Sequence, residues 1–216
     1  MASAFDLCTT RTVEPTNPFA TRYIGPASLA PHDPAAGRLH DLGGLAARLA
    51  ILGGSAAIVG AHGSGKSTLL VHLAGRIESE GRPVERIRIR GAAATPDALR
   101  MVWRLPRGGV ACLDSWEALG AIGRGLVRWT AAWRSVALVV TSHRPLGLPV
   151  LVICRTSKSL LAEIVARLPG HDEWYGIMIR DEDVAEAFRH SGGDIRRALD
   201  DLYDRFERRR RLIGDL

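Results

Sequence analysis

The sequence predicts an α/β fold of three layers, in which a central parallel sheet of about five strands is followed by a small C-terminal helical region. Apolar runs alternate with helical patterns as far as Cys154, and only helical patterns follow that residue. Most of the runs are continuously apolar, as in parallel strands that are covered on both faces. The chain has 216 residues, of which 46% are hydrophobic and 24% charged, and its mean hydropathy is +0.02. This composition excludes fibrous, collagen-like and wholly disordered proteins.

The candidate elements follow from hydrophobic periodicity. Strands are predicted at 56–59, 84–90, 110–113, 136–140 and 150–154. The second of these alternates apolar and charged residues, which favours a half-exposed strand near a sheet edge. Helices are predicted at 39–52, 67–77, 119–133, 159–168, 181–190 and 194–211.

This pattern divides the chain into three parts. Residues 1–36 form an extended strap rich in proline, threonine and alanine, with Phe19, Tyr23 and Ile24 as anchors. Residues 37–157 form the α/β core, and residues 158–216 form a helical subdomain.

Cysteine content and charge restrict the compartment and the partners. Cys8, Cys112 and Cys154 are odd in number and scattered, which favours a reducing, cytoplasmic location. No stretch approaches the roughly 18 apolar residues of a membrane span. The formal net charge is +6 and the isoelectric point about 9.9, so a polyanionic partner such as nucleic acid is allowed but not required.

The clearest motif lies between the first predicted core strand and the next helix. It reads G-x-x-x-x-G-K-[ST] and comprises Gly60, Ala61, His62, Gly63, Ser64, Gly65, Lys66, Ser67 and Thr68. Glycines let backbone N–H groups turn around an anion, and the start of a helix adds a positive dipole end. Lys66 is one of only two lysines in a chain that otherwise uses arginine, so an ammonium group is retained where a guanidinium would be too bulky. The alternative is a glycine-rich turn that binds nothing.

Residues 55–70 therefore resemble the phosphate-binding loop of the P-loop NTPases. The resemblance implies that the loop and Lys66 bind the phosphates of ATP and that Ser67 coordinates Mg²⁺. No N-K-x-D guanine-reading motif is present, which favours ATP over GTP.

Acidic residues follow the third predicted strand. Asp114 ends an apolar run and resembles the Walker B aspartate, which implies a role at Mg²⁺, whereas the other interpretation is a helix N-cap. Many related hydrolases have a glutamate directly after this aspartate, but Ser115 stands here. Glu117 is either the base that activates water or the end of a capping box, Asp-Ser-Trp-Glu.

Two further segments resemble elements of AAA+ ATPases. His143, with Ser142 beside it, follows an apolar strand as the polar sensor 1 residue does, although a histidine there can also be a loop residue without a role. Arg196, three positions after Gly193, is similar to the sensor 2 arginine of clamp-loader and origin-recognition lids, although it also fits a solvated helix arginine. The resemblance covers about residues 50–205.

The chain departs from AAA+ rings in one respect. Only Pro145–Pro149 separates the His143 region from the next strand, so the helix that usually carries an arginine finger has no room. Arg144 and Arg155 are the remaining candidates. In the strap, Phe19 or Tyr23 would either stack on adenine or anchor the core.

The leading hypothesis is an ATP-binding and ATP-hydrolysing module that couples nucleotide state to movement of a helical lid. A protein partner or a homo-oligomer is compatible with it. One alternative is a P-loop kinase acting on a small acceptor. The other is a nucleic-acid adaptor that uses residues 196–211 as its basic face and ATP as a conformational ligand.

Overall fold

A computed structural model describes residues 16–33 and 38–214. The strands are β1 (His32–Asp33), β2 (Arg38–Leu39), β3 (Ala56–Gly60), β4 (Val84–Arg88), β5 (Val110–Asp114), β6 (Ala137–Ser142) and β7 (Val150–Cys154). The helices are α1 (Thr21–Ile24), α2 (Leu42–Ile51), α3 (Lys66–Ser79), α4 (Thr95–Arg104), α5 (Gly120–Arg134), α6 (Lys158–Ala166), α7 (His171–Trp174), α8 (Asp181–His190) and α9 (Ile195–Gly214). Short 3₁₀ turns lie at Ala92–Ala94 and Trp116–Leu119.

Five strands form a parallel sheet in the order β4-β5-β6-β3-β7, and β1 and β2 form a separate antiparallel pair. The chain leaves β3 for the far edge at β4, returns through β5 to β6 beside β3, and then crosses to β7 on the other side. The strand order therefore places β6 between β3 and β5. In a parallel sheet the carboxyl ends of these three strands lie side by side, where open α/β sheets usually bind ligands.

Side-chain alternation along the strands produces the layers. In β5, Val110 and Cys112 pack into the cluster that holds buried side chains of α2 and α3. Ala111 and Leu113 point to the other face and pack with buried residues of α4 and α5. The predicted α/β architecture with a five-stranded parallel sheet is therefore confirmed, and helices cover both of its faces.

One core helix was not predicted. Helix α4 begins with Pro96 in its first turn, where proline costs no intrahelical hydrogen bond. Ala98, Met101 and Val102 are its buried side chains, at the spacing of a single helix face. The short helices α1 and α7 and the short strands β1 and β2 were also not predicted. All six predicted helices and all five predicted strands are present; α8 and β7 have the predicted bounds, and the ends of the others are shifted.

The helices after β7 share a separate hydrophobic cluster. Buried residues of α6, α8 and α9 meet there with Trp174 of α7. Phe19 belongs to the same cluster, with its ring 5.3 Å from that of Trp174 and 6.3 Å from that of Phe206. Phe19 thus anchors the segment before α2 to the C-terminal helices. Residues 1–15 and 34–36 of the predicted strap lie outside the described residues.

A buried carboxylate joins α8 to α9. Asp183 accepts hydrogen bonds from Arg209 at 2.6 and 2.8 Å and from Arg205 at 3.3 Å. It also accepts one from the backbone N–H of Arg180 at 2.9 Å, which closes the first turn of α8.

Across residues 16–33 and 38–214, none of the helices combines the length and the apolar character needed to cross a bilayer.

Candidate functional site

The site is built on the loop between β3 and α3. Gly65 has φ +81°, a left-handed conformation that glycine adopts without strain, and α3 begins at the next residue. At Gly60 a Cβ atom would stand 2.5 Å from both the Cys154 carbonyl oxygen and Ser64 Oγ, so only glycine fits. Ser64 Oγ itself is buried and has no hydrogen-bond partner within the described part of the chain. The first N–H groups of α3 lack intrahelical acceptors, which makes this loop suited to an anion.

Lys66 lies across this loop. Its Nζ donates hydrogen bonds to the carbonyl oxygens of Gly60 at 2.9 Å and Ala61 at 2.5 Å. Desolvation lowers the pKa of Lys66, and this effect is opposed by nearby acidic groups, including Asp114 and Asp194. The ammonium group is therefore partly withdrawn from water and held where a loop-bound anion would replace its carbonyl partners.

Ser67 and Asp114 meet at the ends of α3 and β5. The Ser67 hydroxyl lies 2.9 Å from Asp114 Oδ1 and 3.0 Å from Oδ2. Thr141, at the end of β6, donates to Asp114 Oδ1 at 2.6 Å and accepts from the backbone N–H of Ser115 at 2.9 Å. Arg88 Nε lies 3.8 Å from Asp114 Oδ2. Sequence reasoning did not single out Thr141, although a polar residue at the end of an apolar strand was the available signal.

These oxygens fit a hard divalent cation. Hydroxyl and carboxylate groups are suitable Mg²⁺ ligands, and Mg²⁺ is usually held by one or two carboxylates together with water and phosphate oxygens. Within residues 16–33 and 38–214 no cluster of three or more His, Cys, Asp or Glu side chains could hold a metal. A cation at Ser67 and Asp114 would therefore take its remaining ligands from water and from a bound anion.

His143 links the loop to Glu117. Its Nδ1 lies 3.0 Å from the Gly60 carbonyl oxygen, and its Nε2 lies 3.0 Å from Glu117 Oε1. The His62 ring packs against it, with 4.0 Å between the ring centroids. Glu117 Oε2 is buried and has no hydrogen-bond partner among the described residues. The two predicted residues are thus brought together, and one oxygen of Glu117 remains unused.

The capping-box interpretation of residues 114–117 is wrong. These residues lead into a 3₁₀ turn that starts after Ser115, which has a left-handed backbone with φ 67°. Helix α5 begins only at Gly120, and no side chain caps it. The Asp114 carboxylate instead contacts Ser67 and Thr141, so the helix-cap alternative for Asp114 is also wrong.

The start of α9 reaches the loop through Asp194. This carboxylate caps the helix by accepting from the backbone N–H groups of Arg196 at 3.0 Å and Arg197 at 3.1 Å. It also lies against Gly63, where an added Cβ would overlap Asp194 Oδ1 and stand 3.0 Å from the backbone nitrogen of Ile195. The predicted Arg196 is exposed, and the contact is made by Asp194, which the sequence marked only as a cap.

The remaining predicted residues lie as follows. Phe19 is fully buried in the C-terminal cluster, so the base-stacking alternative for it is wrong and its anchoring role is confirmed. Tyr23 is half-buried, with the Arg22 guanidinium 4.7 Å from its ring centroid. Ser142 is buried and donates to the carbonyl oxygen of Arg144. Thr68 is half-buried in the first turn of α3, and Arg144 and Arg155 are exposed.

No protein-family model and no curated protein sequence matches this chain.

Proposed function

We propose that this chain binds ATP with Mg²⁺ at the β3–α3 loop and hydrolyses it, as a P-loop NTPase of AAA+-like type. The contact between Ser67 and Asp114 carries the proposal, because these residues lie 47 positions apart and come from two motifs that the sequence marked independently. Chance proximity of a serine in the first turn of α3 and an aspartate at the end of β5 would not be expected to give two hydrogen-bond distances near 3 Å.

Each residue has a role that follows from its position. The loop amides and the Lys66 ammonium would bind the phosphate chain, since Lys66 Nζ lies against the loop carbonyls of Gly60 and Ala61. Ser67 and Asp114 would hold Mg²⁺, which supplies charge neutralisation to the phosphates when bound. Thr141 positions the Asp114 carboxylate through its hydroxyl.

Glu117 is the proposed general base. A base needs a carboxylate oxygen that is free to accept a proton, and Oε2 of Glu117 has no hydrogen-bond partner among the described residues. Its other oxygen faces His143, which also faces the Gly60 carbonyl. His143 therefore acts as a positioning residue that connects the loop backbone to the base.

The contact of Asp194 with Gly63 supports coupling between the nucleotide and the C-terminal helices. A phosphate chain in the loop would meet the Asp194 carboxylate, and two groups of like charge repel in a partly desolvated site. Nucleotide binding is then expected to displace the start of α9, which is the lid movement that the proposal requires.

Calorimetric titration with ATP, ADP and GTP in the presence of Mg²⁺ tests the binding. Wild type should bind ATP saturably, and Lys66→Ala should weaken binding at least about tenfold because the charge at the phosphates is lost. Lys158→Ala, which alters the other lysine of the chain, is the matched control and should bind like wild type. Equal ATP affinity of Lys66→Ala and wild type would contradict the proposal.

Phosphate release tests the hydrolysis separately. Glu117→Gln should lower the rate by about a hundredfold or more while leaving ATP affinity within a few-fold of wild type. Glu78→Gln, on the exposed surface of α3, is the control and should hydrolyse normally. An unchanged rate in Glu117→Gln means that this residue is not the base, even if binding is intact.

A further inference from the structure

The outer surface of α4 and α5 carries large apolar side chains that face solvent. These side chains, which together form the tryptophan face, are Trp103, Ile122, Leu126, Trp129 and Trp133. Exposed apolar residues scattered singly are ordinary, whereas a contiguous group marks an interaction site. The large exposed fractions, such as 81% for Ile122 and 69% for Trp129, show that no described element covers them.

The four residues on α5 recur at intervals of four, three and four positions. That spacing is the a/d seam of a heptad repeat, which packs against another helix by inserting knobs into holes. From Ile122 to Trp133 the seam runs about 16 Å along the helix, or about three turns. The opposite side of α5 is already buried against the sheet through Val127, Thr130 and Ala131. One face of α5 is therefore buried within the fold, and the face that carries the four apolar residues is exposed to solvent.

Trp103 extends the seam onto α4. Its ring stacks on that of Trp133, with 5.3 Å between centroids and 18° between planes. The guanidinium of Arg134 lies 5.2 Å from the Trp103 ring centroid and donates to the Trp103 carbonyl oxygen at 3.0 Å. These contacts fix the orientation of both rings. A pre-ordered aromatic pair loses little side-chain entropy on binding, which favours its use as an interface anchor.

The two segments that carry this face have a strongly one-sided charge. Residues 95–107 and 120–134 contain six arginines and one aspartate, and six minus one gives a formal net charge of +5. The single aspartate, Asp97, is already paired with Arg100 at 2.6 Å. A second copy of the same surface would bring like charges together, which is unfavourable. A partner with an apolar seam flanked by carboxylates would be complementary in both shape and charge.

We propose that the tryptophan face is a docking site for an acidic amphipathic helix of a partner protein. The ligand class is a helix with apolar a and d residues and Glu or Asp at the flanking positions. This inference does not depend on nucleotide binding, because none of the five residues belongs to the loop site.

The probe is a fluorescently labelled synthetic peptide of about 21 residues with leucine at a and d and glutamate at e and g. Fluorescence anisotropy should show saturable binding to the full chain, weakened by salt. A second peptide with lysine in place of glutamate should bind at least about tenfold more weakly, because it meets the arginines with like charge. Equal binding of the two peptides, or no saturable binding of the acidic one, would overturn the proposal.

Two pairs of variants locate the site. Trp129→Ser should weaken peptide binding at least about tenfold, as expected for a central aromatic anchor. Ile51→Ser, at an exposed apolar position on α2, is its control and should bind normally. Arg104→Glu should weaken binding, whereas Arg189→Glu on α8 should not. Circular dichroism melts confirm that each variant is folded, and equal effects of a variant and its control would contradict the assignment.

Further measurements distinguish the proposed helix from a second copy of the chain, a membrane or a nucleic acid as the partner of this face. Sedimentation of the wild type alone should show a monomer, and a dimer that is lost in Trp129→Ser would mean that a second copy occupies the face. Vesicles containing phosphatidylglycerol and a short DNA duplex are tested in parallel. Binding to either that is lost in Trp129→Ser, in the absence of peptide binding, would replace the proposed helix with a membrane or a nucleic acid.

Discussion

Thr141 connects the Asp114 carboxylate to the backbone that follows it. The Thr141 hydroxyl donates to Asp114 Oδ1 at 2.6 Å while accepting from the Ser115 N–H at 2.9 Å, and the whole residue is buried. The Asp114 carboxylate and the Ser115 N–H, both at the end of β5, thus share one hydrogen-bond partner, the Thr141 side chain of β6. Removing that hydroxyl takes the partner from the partly buried Ser115 N–H and leaves Asp114 Oδ1 with the Ser67 hydroxyl alone.

Thr141→Val is therefore expected to lower the free energy of unfolding by about 1–3 kcal/mol, because the variant keeps the shape but not the hydroxyl. Urea denaturation measures the change. Thr141→Ser retains the hydroxyl and should remain closer to wild type. If the valine variant is as stable as wild type, the hydroxyl contributes nothing to the position of Asp114.

Asp194→Asn is expected to tighten ATP binding by about fivefold, because it removes a negative charge beside the loop. Asparagine caps helices as well as aspartate does, so α9 should be preserved. Asp172→Asn alters a carboxylate that is fully exposed on α7 and should leave the affinity unchanged. Calorimetric affinities of the three proteins give the comparison, and weaker binding by Asp194→Asn would mean that this carboxylate assists the nucleotide.

The Asp183 network predicts how stability depends on pH. Desolvation alone would raise the pKa of Asp183, but hydrogen bonds from Arg209, from the Arg180 backbone and from Arg205 outweigh it, and the pKa is lowered overall. A lowered pKa in the folded state contributes stability above the unfolded value of about 3.9. That contribution is lost as the pH falls through the folded pKa.

Unfolding free energies measured from neutral pH down to about pH 3 should therefore decrease in the acid range. Asp183→Asn, which cannot ionise, should be less stable at neutral pH and should show a smaller decrease in acid. Identical pH profiles for wild type and Asp183→Asn would show that this carboxylate does not carry the dependence.

Two buried thiols predict slow labelling of the folded chain. Burial raises the pKa of Cys112 to about 12 and that of Cys154 to about 11, so little thiolate forms near neutral pH. In a Cys8→Ser background, both thiols should react with a disulfide reagent far more slowly in buffer than in urea. Labelling at similar rates in both conditions would mean that these side chains are accessible in the native state.

Much of the fold could be predicted from the sequence because its signals are local. The apolar runs of β3, β5, β6 and β7 reflect burial on both faces, and the glycine-lysine loop between β3 and α3 needs no long-range information. Helix α4 has a marked amphipathic pattern, with Ala98, Met101 and Val102 on one buried face, so the sequence carried a local signal for it that the prediction did not use. Strand order depends on how crossovers pack, and no local pattern specifies it.

The site was predictable to a similar extent. Ser67 and Asp114 were recognised from their own motifs, but their contact requires α3 and β5 to meet across the end of β6. The pairing of His143 with Glu117 and the role of Thr141 follow from the same strand order, which the sequence does not display. Asp194 was recognised as a cap, and its contact with Gly63 became visible only in the folded chain.

The position of β6 restricts how its length can vary. Thr141 reaches the β5 side and His143 reaches the β3 side, and the two are separated by one residue at the end of a single strand. Deleting one residue within β6 would reverse the faces of the side chains beyond the deletion, because strand side chains alternate. Such a deletion would break the contact of Thr141 with Asp114 and that of His143 with the Gly60 carbonyl together. Length changes in the segment 145–149, which follows both residues, would leave the two connections in place.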